Sequence, residues 1–234
     1  MVHCMDEQIG RLLQMLEKRG MLDNTIIIFS SDNGGPLGMG ATNGNLRAGK
    51  GTLYEGGVRV AAFVTWQGRI KGATVIREPL HVVDWYPTLL QLTGASLQQK
   101  LPIDGKNIWP VLTEGKPSPH EDILFNVSPG GGALRKGDWK LVLDGNMTGE
   151  DSPDFQPECK KGKGKGAKKG NNILVELFNL REDPTERTNL AEQQPDRVRE
   201  LRARLQAYAQ QAVPPRSAPK RKDFVSPKIW GEGD

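Results

Sequence analysis

Two short segments of the sequence hold side chains that could bind an anion beside a metal ion. The first is Asp32-Asn33, followed by Gly34-Gly35 and preceded by the apolar, β-branched run 25–29. A carboxylate and an amide oxygen side by side suit Ca²⁺ or Mg²⁺, and the neutral Asn33 adds a ligand without a second negative charge. Taken alone, these residues are more typical of a turn that only ends a strand.

The second segment is glycine-rich and carries Lys50. Residues 47–59 read Arg-Ala-Gly-Lys-Gly-Thr-Leu-Tyr-Glu-Gly-Gly-Val-Arg. A phosphate-binding P-loop is excluded because Gly51 stands where Ser or Thr is required, and because we expect the segment to run into a strand instead of a helix. A lysine ammonium in such a connection can act as a point charge on anionic oxygens, although a solvated loop lysine is the alternative.

The elements that must position these residues are typical of an α/β fold. Apolar positions at helical spacing predict a helix over 1–19, and the run 25–29 predicts a strand covered on both faces, as in a parallel sheet. A second strand is predicted over 58–66 and a helix over 80–93, regular from about Pro87. In such sheets, ligands bind at the carboxyl ends of the strands, which is where Asp32 and Asn33 lie.

The second half of the chain changes character. Short strand-like pieces at 122–127, 133–135, 139–143 and 174–180 predict a small antiparallel sheet, and helical spacing over 196–212 predicts a closing helix. We therefore divide the chain into an α/β part over 1–120 and a sheet-plus-helix part over 121–212. A Lys/Gly-rich insert over 159–172 interrupts the second part, and an extended basic tail over 213–234 follows it.

Charge and composition exclude several classes of function. The net charge is +4, but six lysines of the insert account for more than all of it, so we expect no nucleic-acid partner. No apolar run approaches the roughly 18 residues that would span a bilayer, and we expect no membrane partner. The two cysteines, Cys4 and Cys159, form neither a zinc motif nor a disulfide framework, and His3, His81 and His120 show no spacing of a metal or acid–base site.

Taken together, the two segments resemble the formylglycine-dependent sulfatase family. Further similar segments follow in order up to about residue 212: His81-Val-Val-Asp84-Trp-Tyr-Pro-Thr, Asp104-Gly105, Leu134-Arg-Lys-Gly-Asp-Trp-Lys-Leu141 and Leu177-Phe-Asn-Leu-Arg-Glu-Asp-Pro. The resemblance implies part of an alkaline-phosphatase-like α/β sandwich, followed by a small antiparallel sheet with a carboxyl-terminal helix. Within the family, details such as Val60-Ala61 after Gly-Gly-Val-Arg look most like the arylsulfatase B group, which acts on sulfated N-acetylgalactosamine.

The resemblance also implies roles for the candidate residues. Asp32 and Asn33 would bind the family's calcium ion, and Lys50 would contact the sulfate as a catalytic and substrate-binding residue. The family nucleophile is a formylglycine made in a C/S-x-P-x-R motif, and neither Cys4 nor Cys159 begins one. We therefore expect a carboxyl-terminal part of a sulfatase, inactive alone, with the formylglycine supplied by an amino-terminal part. For the family we expect a secreted, periplasmic or lysosomal location and a sulfated small molecule or sulfated glycan as substrate.

Two other hypotheses stay open on the sequence alone. A metal-dependent phosphoesterase of the same superfamily would share the Asp-containing strand end, although Asn33 and Lys50 favour sulfate. A non-catalytic module could instead bind acidic glycans through the lysines of residues 160–169. We expect Glu55 and Arg59 to be structural.

Overall fold

The structure is a computed structural model, and it describes residues 2–128, 131–145 and 173–213. The helices are α1 (Val2–Lys18), α2 (Glu55–Val58), α3 (Trp85–Leu92), α4 (Trp109–Glu114) and α5 (Pro195–Gln211). The strands are β1 (Ile27–Ser30), β2 (Ala62–Thr65), β3 (Ile123–Ser128), β4 (Gly131–Lys136), β5 (Trp139–Leu143) and β6 (Val175–Asn179). The predicted insert over 159–172 and all but Val213 of the predicted tail lie outside the described residues.

The amino-terminal part begins with α1 and a two-stranded sheet. Strand β1 pairs antiparallel with β2, and Phe29 stacks on Phe63 at 4.9 Å between ring centroids. Helix α1 is amphipathic, but it buries none of its residues within the described part of the chain. Within the described residues, β1 has one neighbour, which is antiparallel, and its apolar side chains are half-buried, so the predicted parallel pairing and cover on both faces are not seen there.

The second predicted strand is also shorter than expected. Residues 55–58 form the single helical turn α2, and the strand β2 starts only at Ala62. The P-loop argument that this segment runs directly into a strand is therefore wrong, although Gly51 still breaks the P-loop pattern. The helix α4 was not predicted from the sequence.

The carboxyl-terminal part is a four-stranded antiparallel sheet in the order β3-β4-β5-β6, as predicted. Because side chains alternate along each strand, Leu141 and Leu177 face α5, where they pack with Leu201. The other face carries Val142 and Phe178, and it packs against the glycine-rich segment around Tyr54. The sheet is thus buried on both faces, and one face forms the floor under the segment that contains Lys50.

No helix in the described ranges is both long enough and apolar enough to cross a lipid bilayer.

Candidate functional site

The end of strand β1 holds two oxygens that have no hydrogen-bond donor among the described residues. The carboxylate of Asp32 accepts one bond, at Oδ1 from the backbone N–H of Asn33 at 2.9 Å. The amide nitrogen of Asn33 donates to the carbonyl of Gly34 at 3.0 Å. Oδ2 of Asp32 and Oδ1 of Asn33 are therefore free to bind a cation or water.

Asn43 connects this strand end to the segment that carries Lys50. Its Oδ1 accepts from the backbone N–H of Gly35 at 2.7 Å, and its Nδ2 donates to the carbonyls of Gly35 at 3.1 Å and Ala48 at 2.9 Å. The backbone N–H of Lys50 also donates to the Gly35 carbonyl, at 3.3 Å. The backbone of Lys50 is thus anchored two residues beyond Asn33, although the two segments lie far apart in the sequence.

The glycines of both segments permit this close approach. A Cβ added at Gly34 would overlap the carbonyl oxygen of Gly56, and one added at Gly49 would overlap the carbonyl oxygen of Gly35. Backbone hydrogen bonds from Gly34 to Gly57 at 3.0 Å and from Gly56 to Arg47 at 2.8 Å complete the contact. The repeated glycines are required because the two backbones pass too close for side chains.

Lys50 itself is exposed. Its side chain makes no hydrogen bond or ion pair with any residue that the structure describes. Ala48, two residues earlier, is buried and has a positive φ of 59°, a conformation that costs a non-glycine residue about 1–3 kcal/mol. The segment therefore combines a backbone held in a strained shape with a lysine ammonium that is free to meet an anion.

A buried lysine lies beneath this segment. The Lys140 ammonium on β5 is fully buried and lies 2.9 Å from Oε1 of Glu55 and 2.8 Å from Oε1 of Glu186. The second contact is an ion pair without hydrogen-bond geometry, because Glu186 Oε1 has no hydrogen-bond partner among the described atoms. Oε2 of Glu186 accepts from the backbone N–H of Glu55 at 2.6 Å.

A second polar group holds the other side of the same segment. Arg47 donates to Glu176 Oε1 at 2.9 Å and to the backbone carbonyl of Glu186 at 3.2 Å. The Tyr54 hydroxyl donates to Glu176 Oε2 at 2.5 Å, and the Arg47 guanidinium lies 3.9 Å from the centroid of the Tyr54 ring. Burial, and then the bond to Glu176, raise the pKa of Tyr54, so this hydroxyl stays protonated.

These partners were not found from the sequence, apart from Glu55. The expectation that Glu55 is structural agrees with its burial against Lys140, whereas Arg59 is largely exposed at 3.8 Å from Glu55. Charged side chains usually face water, so residue type does not predict the burial of Lys140, Glu176 and Glu186. Of these three residues, Lys140 lies within the segment 134–141 that resembles the sulfatase family, and this was the available signal for it.

Two of the three histidines, His81 and His120, lie at one buried carboxylate, a proximity that their spacing in the sequence does not indicate. Asp84 is fully buried; it contacts Nε2 of His120 at 2.8 Å and accepts the backbone N–H groups of His81 at 2.7 Å and Lys106 at 2.8 Å. The His81 ring accepts the N–H of Val83 at 3.2 Å, and burial lowers the pKa of His81. These contacts tie the start of α3 to two loops, so the histidines serve packing.

Metal ligands are sparse in the described part of the chain. No cluster of three or more His, Cys, Asp or Glu side chains within residues 2–128, 131–145 and 173–213 could hold a metal ion. Asp32 and Asn33 would together supply only part of the six to eight oxygens that calcium takes, so a calcium ion here needs further ligands.

Comparison with known proteins identifies the family. Residues 1–95 match the sequence profile described as Sulfatase. Over 99% of its length the chain is similar to mouse (Mus musculus) arylsulfatase J, with 35% identity, covering 43% of that protein. The chain belongs to the sulfatase family. The finer prediction of an arylsulfatase B type is not tested by these matches and stays a prediction.

Solved structures support the sulfatase fold. A crystal structure of Ps i-CgsB in complex with k-i-k-neocarrahexaose superposes with a TM-score of 0.70 at 28% identity, over 89% of this chain and 42% of that one. The PsFucS1 sulfatase from Pseudoalteromonas sp. gives 0.68 at 25% identity, over 88% and 40%. The alkaline-phosphatase-like α/β fold expected from the sequence is thus confirmed, and the chain spans less than half the length of these relatives.

The sequence holds one match to the nucleophile pattern of the family. Neither cysteine begins a C/S-x-P-x-R motif, but the serine form of the pattern occurs once, at Ser217-Ala218-Pro219-Lys220-Arg221. This match lies outside the described residues and follows Asp32 and Lys50 in the sequence. Because only three of its five positions are fixed, a tail rich in Pro, Lys and Arg meets the pattern easily.

Proposed function

We propose that this chain supplies calcium-binding and sulfate-binding side chains to a sulfuric ester hydrolase that acts on a sulfated carbohydrate. The observation that carries the proposal is the junction made by Asn43. It ties Gly35, which follows the free oxygens of Asp32 and Asn33, to the backbone that carries the unpaired ammonium of Lys50. A cation site and an exposed ammonium on adjacent backbones suit a dianionic or monoanionic ester.

Lys50 would stabilise the departing ester. When a sulfate ester breaks, negative charge grows on the bridging oxygen and on the sulfuryl oxygens. An ammonium held beside them stabilises that state more than the uncleaved ester, and this difference lowers the barrier. Because hydrogen bonds hold the backbone on both sides of Lys50, this segment needs less reorganisation when the ester breaks.

Asp32 and Asn33 fit a calcium ion by the chemistry of their free oxygens, which are hard ligands at the end of a strand. The ion would supply a positive charge that holds and polarises the sulfate group. The role of this chain is to present a carboxylate and an amide oxygen at neighbouring positions, with Asp32 oriented by the N–H of Asn33.

The formylglycine nucleophile does not fit the described residues of this chain. Cys4 is exposed on α1 and is followed by Met5-Asp6-Glu7, which contains no proline of the motif. We therefore assign no step of the reaction to a nucleophile from residues 2–213, and we propose that the chain is inactive without an amino-terminal part.

The substrate class is supported by the relatives. Ps i-CgsB holds k-i-k-neocarrahexaose, and an oligosaccharide ester is the type of substrate that we propose for this chain. A phosphoesterase is less well supported, because a neutral Asn33 and an unpaired Lys50 suit a sulfate group. A secreted, periplasmic or lysosomal location is part of the proposal.

The proposal is tested in the longest natural form of the protein that contains this chain. Lys50→Ala should lower kcat/KM for an aryl sulfate by about a hundredfold to a thousandfold, because one fixed charge at the developing anion is lost. Asp32→Ala should lower bound calcium, measured by atomic emission, and turnover together. Lys71→Ala, an exposed lysine outside the site, is the control and should change neither.

Normal calcium content in Asp32→Ala, or full turnover in Lys50→Ala, would refute these assignments. The matching aryl phosphate distinguishes the second hypothesis, since a phosphoesterase would turn it over faster than the sulfate.

A further inference from the structure

The carboxyl-terminal sheet holds both sides of the segment that contains Lys50. On one side Arg47 is bound to Glu176 of β6, and on the other Tyr54 and Glu55 are bound to Glu176, Lys140 and Glu186. Leu53 adds a backbone bond to the carbonyl of Gly145 at 2.8 Å, just after β5. Lys50 thus lies on a turn whose two ends are anchored to the sheet.

Lys140 is the central group of this anchor. It is fully buried, its ammonium lies between Glu55 and Glu186, and the ring of Phe125 lies 5.0 Å away. Glu186 in turn accepts the backbone N–H of Glu55, where α2 begins without a side-chain cap of its own. Glu186 also has a positive φ of 54°, a strained shape that persists only when surrounding contacts impose it.

A buried ion pair is a costly way to stabilise a core, because desolvation offsets much of the attraction and apolar residues of similar size often do as well. Here the Lys140 ammonium contacts carboxylates from two separate segments, so both contacts are made only in one arrangement of those segments. The use of Lys140 beneath Lys50 therefore points to placement of the segment rather than to stability alone.

We propose that Lys140 is a positioning residue for Lys50. Through Glu55 and Glu186 it fixes the segment 47–55 on the sheet, and so fixes the place from which the Lys50 ammonium meets the sulfate. This inference rests on the proposed function for the role of Lys50, but its structural part can be tested without any activity.

The structural test uses the 234-residue chain and amide hydrogen exchange. Lys140→Met alone would strand two carboxylates in the core, so the test variant is Lys140→Met combined with Glu55→Gln and Glu186→Gln. We expect amides 49–52 to exchange about tenfold faster or more, while amides of β4 and β5 change less. Lys136→Met, which removes a half-buried lysine of β4 that binds Glu200, is the control and should leave amides 49–52 unchanged.

If the triple variant does not fold, Glu55→Gln replaces it, because it keeps the shape of the side chain and weakens its contact with Lys140; a smaller acceleration of the same amides is then expected. Wild-type exchange of amides 49–52 in a folded variant would overturn the proposal. Equal acceleration of those amides and of the whole sheet would also overturn it, since that result indicates a general loss of stability.

The functional test is a double-mutant cycle in the longest natural form of the protein. The triple variant should lower kcat for an aryl sulfate by about a hundredfold, as expected for a misplaced catalytic group. Adding Lys50→Ala to it should cost much less than Lys50→Ala costs in the wild type, because Lys50 is already misplaced. Additive losses would overturn the proposal, whereas absence of wild-type turnover would refute the proposed function and leave the exchange result to decide the positioning role.

Discussion

At the scale of single residues, three buried carboxylates beneath Lys50 share one fully buried cation. Among the described residues, Glu55, Glu176 and Glu186 contact Lys140 and the partly exposed Arg47, and Glu55 also lies 3.8 Å from the largely exposed Arg59. Glu186 is fully buried, and its desolvation raises its pKa above 4.5 even though Lys140 and the N–H of Glu55 act in the opposite direction. The folded protein therefore favours the protonated form of Glu186 more than the unfolded chain does.

This imbalance predicts the pH dependence of a Glu186→Gln variant. A raised folded pKa gives a stabilising contribution that is complete below the unfolded pKa of 4.5 and is lost as the pH rises through the folded pKa. Glutamine does not ionise, so the variant should gain free energy of unfolding relative to the wild type over that range, by at most about 1.4 kcal/mol per pH unit. Urea unfolding from about pH 4.5 to about pH 8 measures the difference.

Glu182→Gln, an exposed glutamate of the same loop, is the matched control and should show a difference that does not depend on pH. A difference for Glu186→Gln that shrinks or stays constant as the pH rises would contradict the raised pKa of Glu186.

Single residues also show what the sequence could predict. Asp32, Asn33 and Lys50 were found because their residue types and glycine neighbours suggest chemistry by themselves. Lys140 was not found, because the pattern Trp-Lys-Leu-Val-Leu is typical of a strand with one solvent-exposed face. Only the tertiary packing buries both faces of this strand. A charged side chain at an alternating strand position gives no signal that a carboxylate from a distant segment will meet it.

At the scale of elements, the contact between the end of β1 and the segment around Lys50 depends on Asn43. Its side chain makes three hydrogen bonds to backbone groups of Gly35 and Ala48, and these groups have few alternative partners once the glycine backbones are in contact. Asn43→Ala should lower the free energy of unfolding by about 1–3 kcal/mol, because backbone groups are left without partners. Urea denaturation followed by circular dichroism measures this loss.

Asn45→Ala provides the control for that substitution, since the Asn45 side chain makes no hydrogen bond within the described part of the chain. It should change stability by less than about 0.5 kcal/mol. Equal effects of the two substitutions would show that the Asn43 bridge does not hold these elements together.

The elements themselves were predicted where periodicity is long. The helices α1 and α5 and the strands β3–β6 lie within a few residues of their predicted positions because their patterns are regular and local. The single turn α2 was missed, since four residues give no period, and its start is capped by Glu186 from a distant loop. The antiparallel pairing of β1 was missed because a continuous apolar run does not reveal the direction of its neighbour.

At the scale of the whole molecule, exposed apolar side chains and the proposed site residues both lie in the amino-terminal part of the chain. The apolar side chains of Val2, Met5 and Leu12 are exposed on α1, and Phe63 is exposed on β2, all in the amino-terminal part. Asp32 and Asn33, which we propose as calcium ligands, also lie there, whereas the carboxyl-terminal sheet is packed on both faces. The amino-terminal part, which we propose binds the substrate, thus leaves more of its apolar side chains exposed than the sheet does.

This distribution predicts that the 234-residue chain alone binds calcium weakly and does not hydrolyse an aryl sulfate. Two free oxygens fall short of the six to eight that calcium takes, and the described residues offer no nucleophile of the family type. Calorimetry with Ca²⁺ and a sulfatase assay after expression with a formylglycine-generating enzyme measure both properties.

Ser217→Ala is the decisive companion variant, because Ser217 begins the one match to the nucleophile pattern. Turnover by the chain that Lys50→Ala and Ser217→Ala both abolish would show that the tail supplies the nucleophile and that the chain is catalytic by itself. Turnover in neither the chain nor its Ser217→Ala variant, together with weak calcium binding, is the expected result, because a fixed ammonium and two oxygens can hold a sulfate group but cannot attack it.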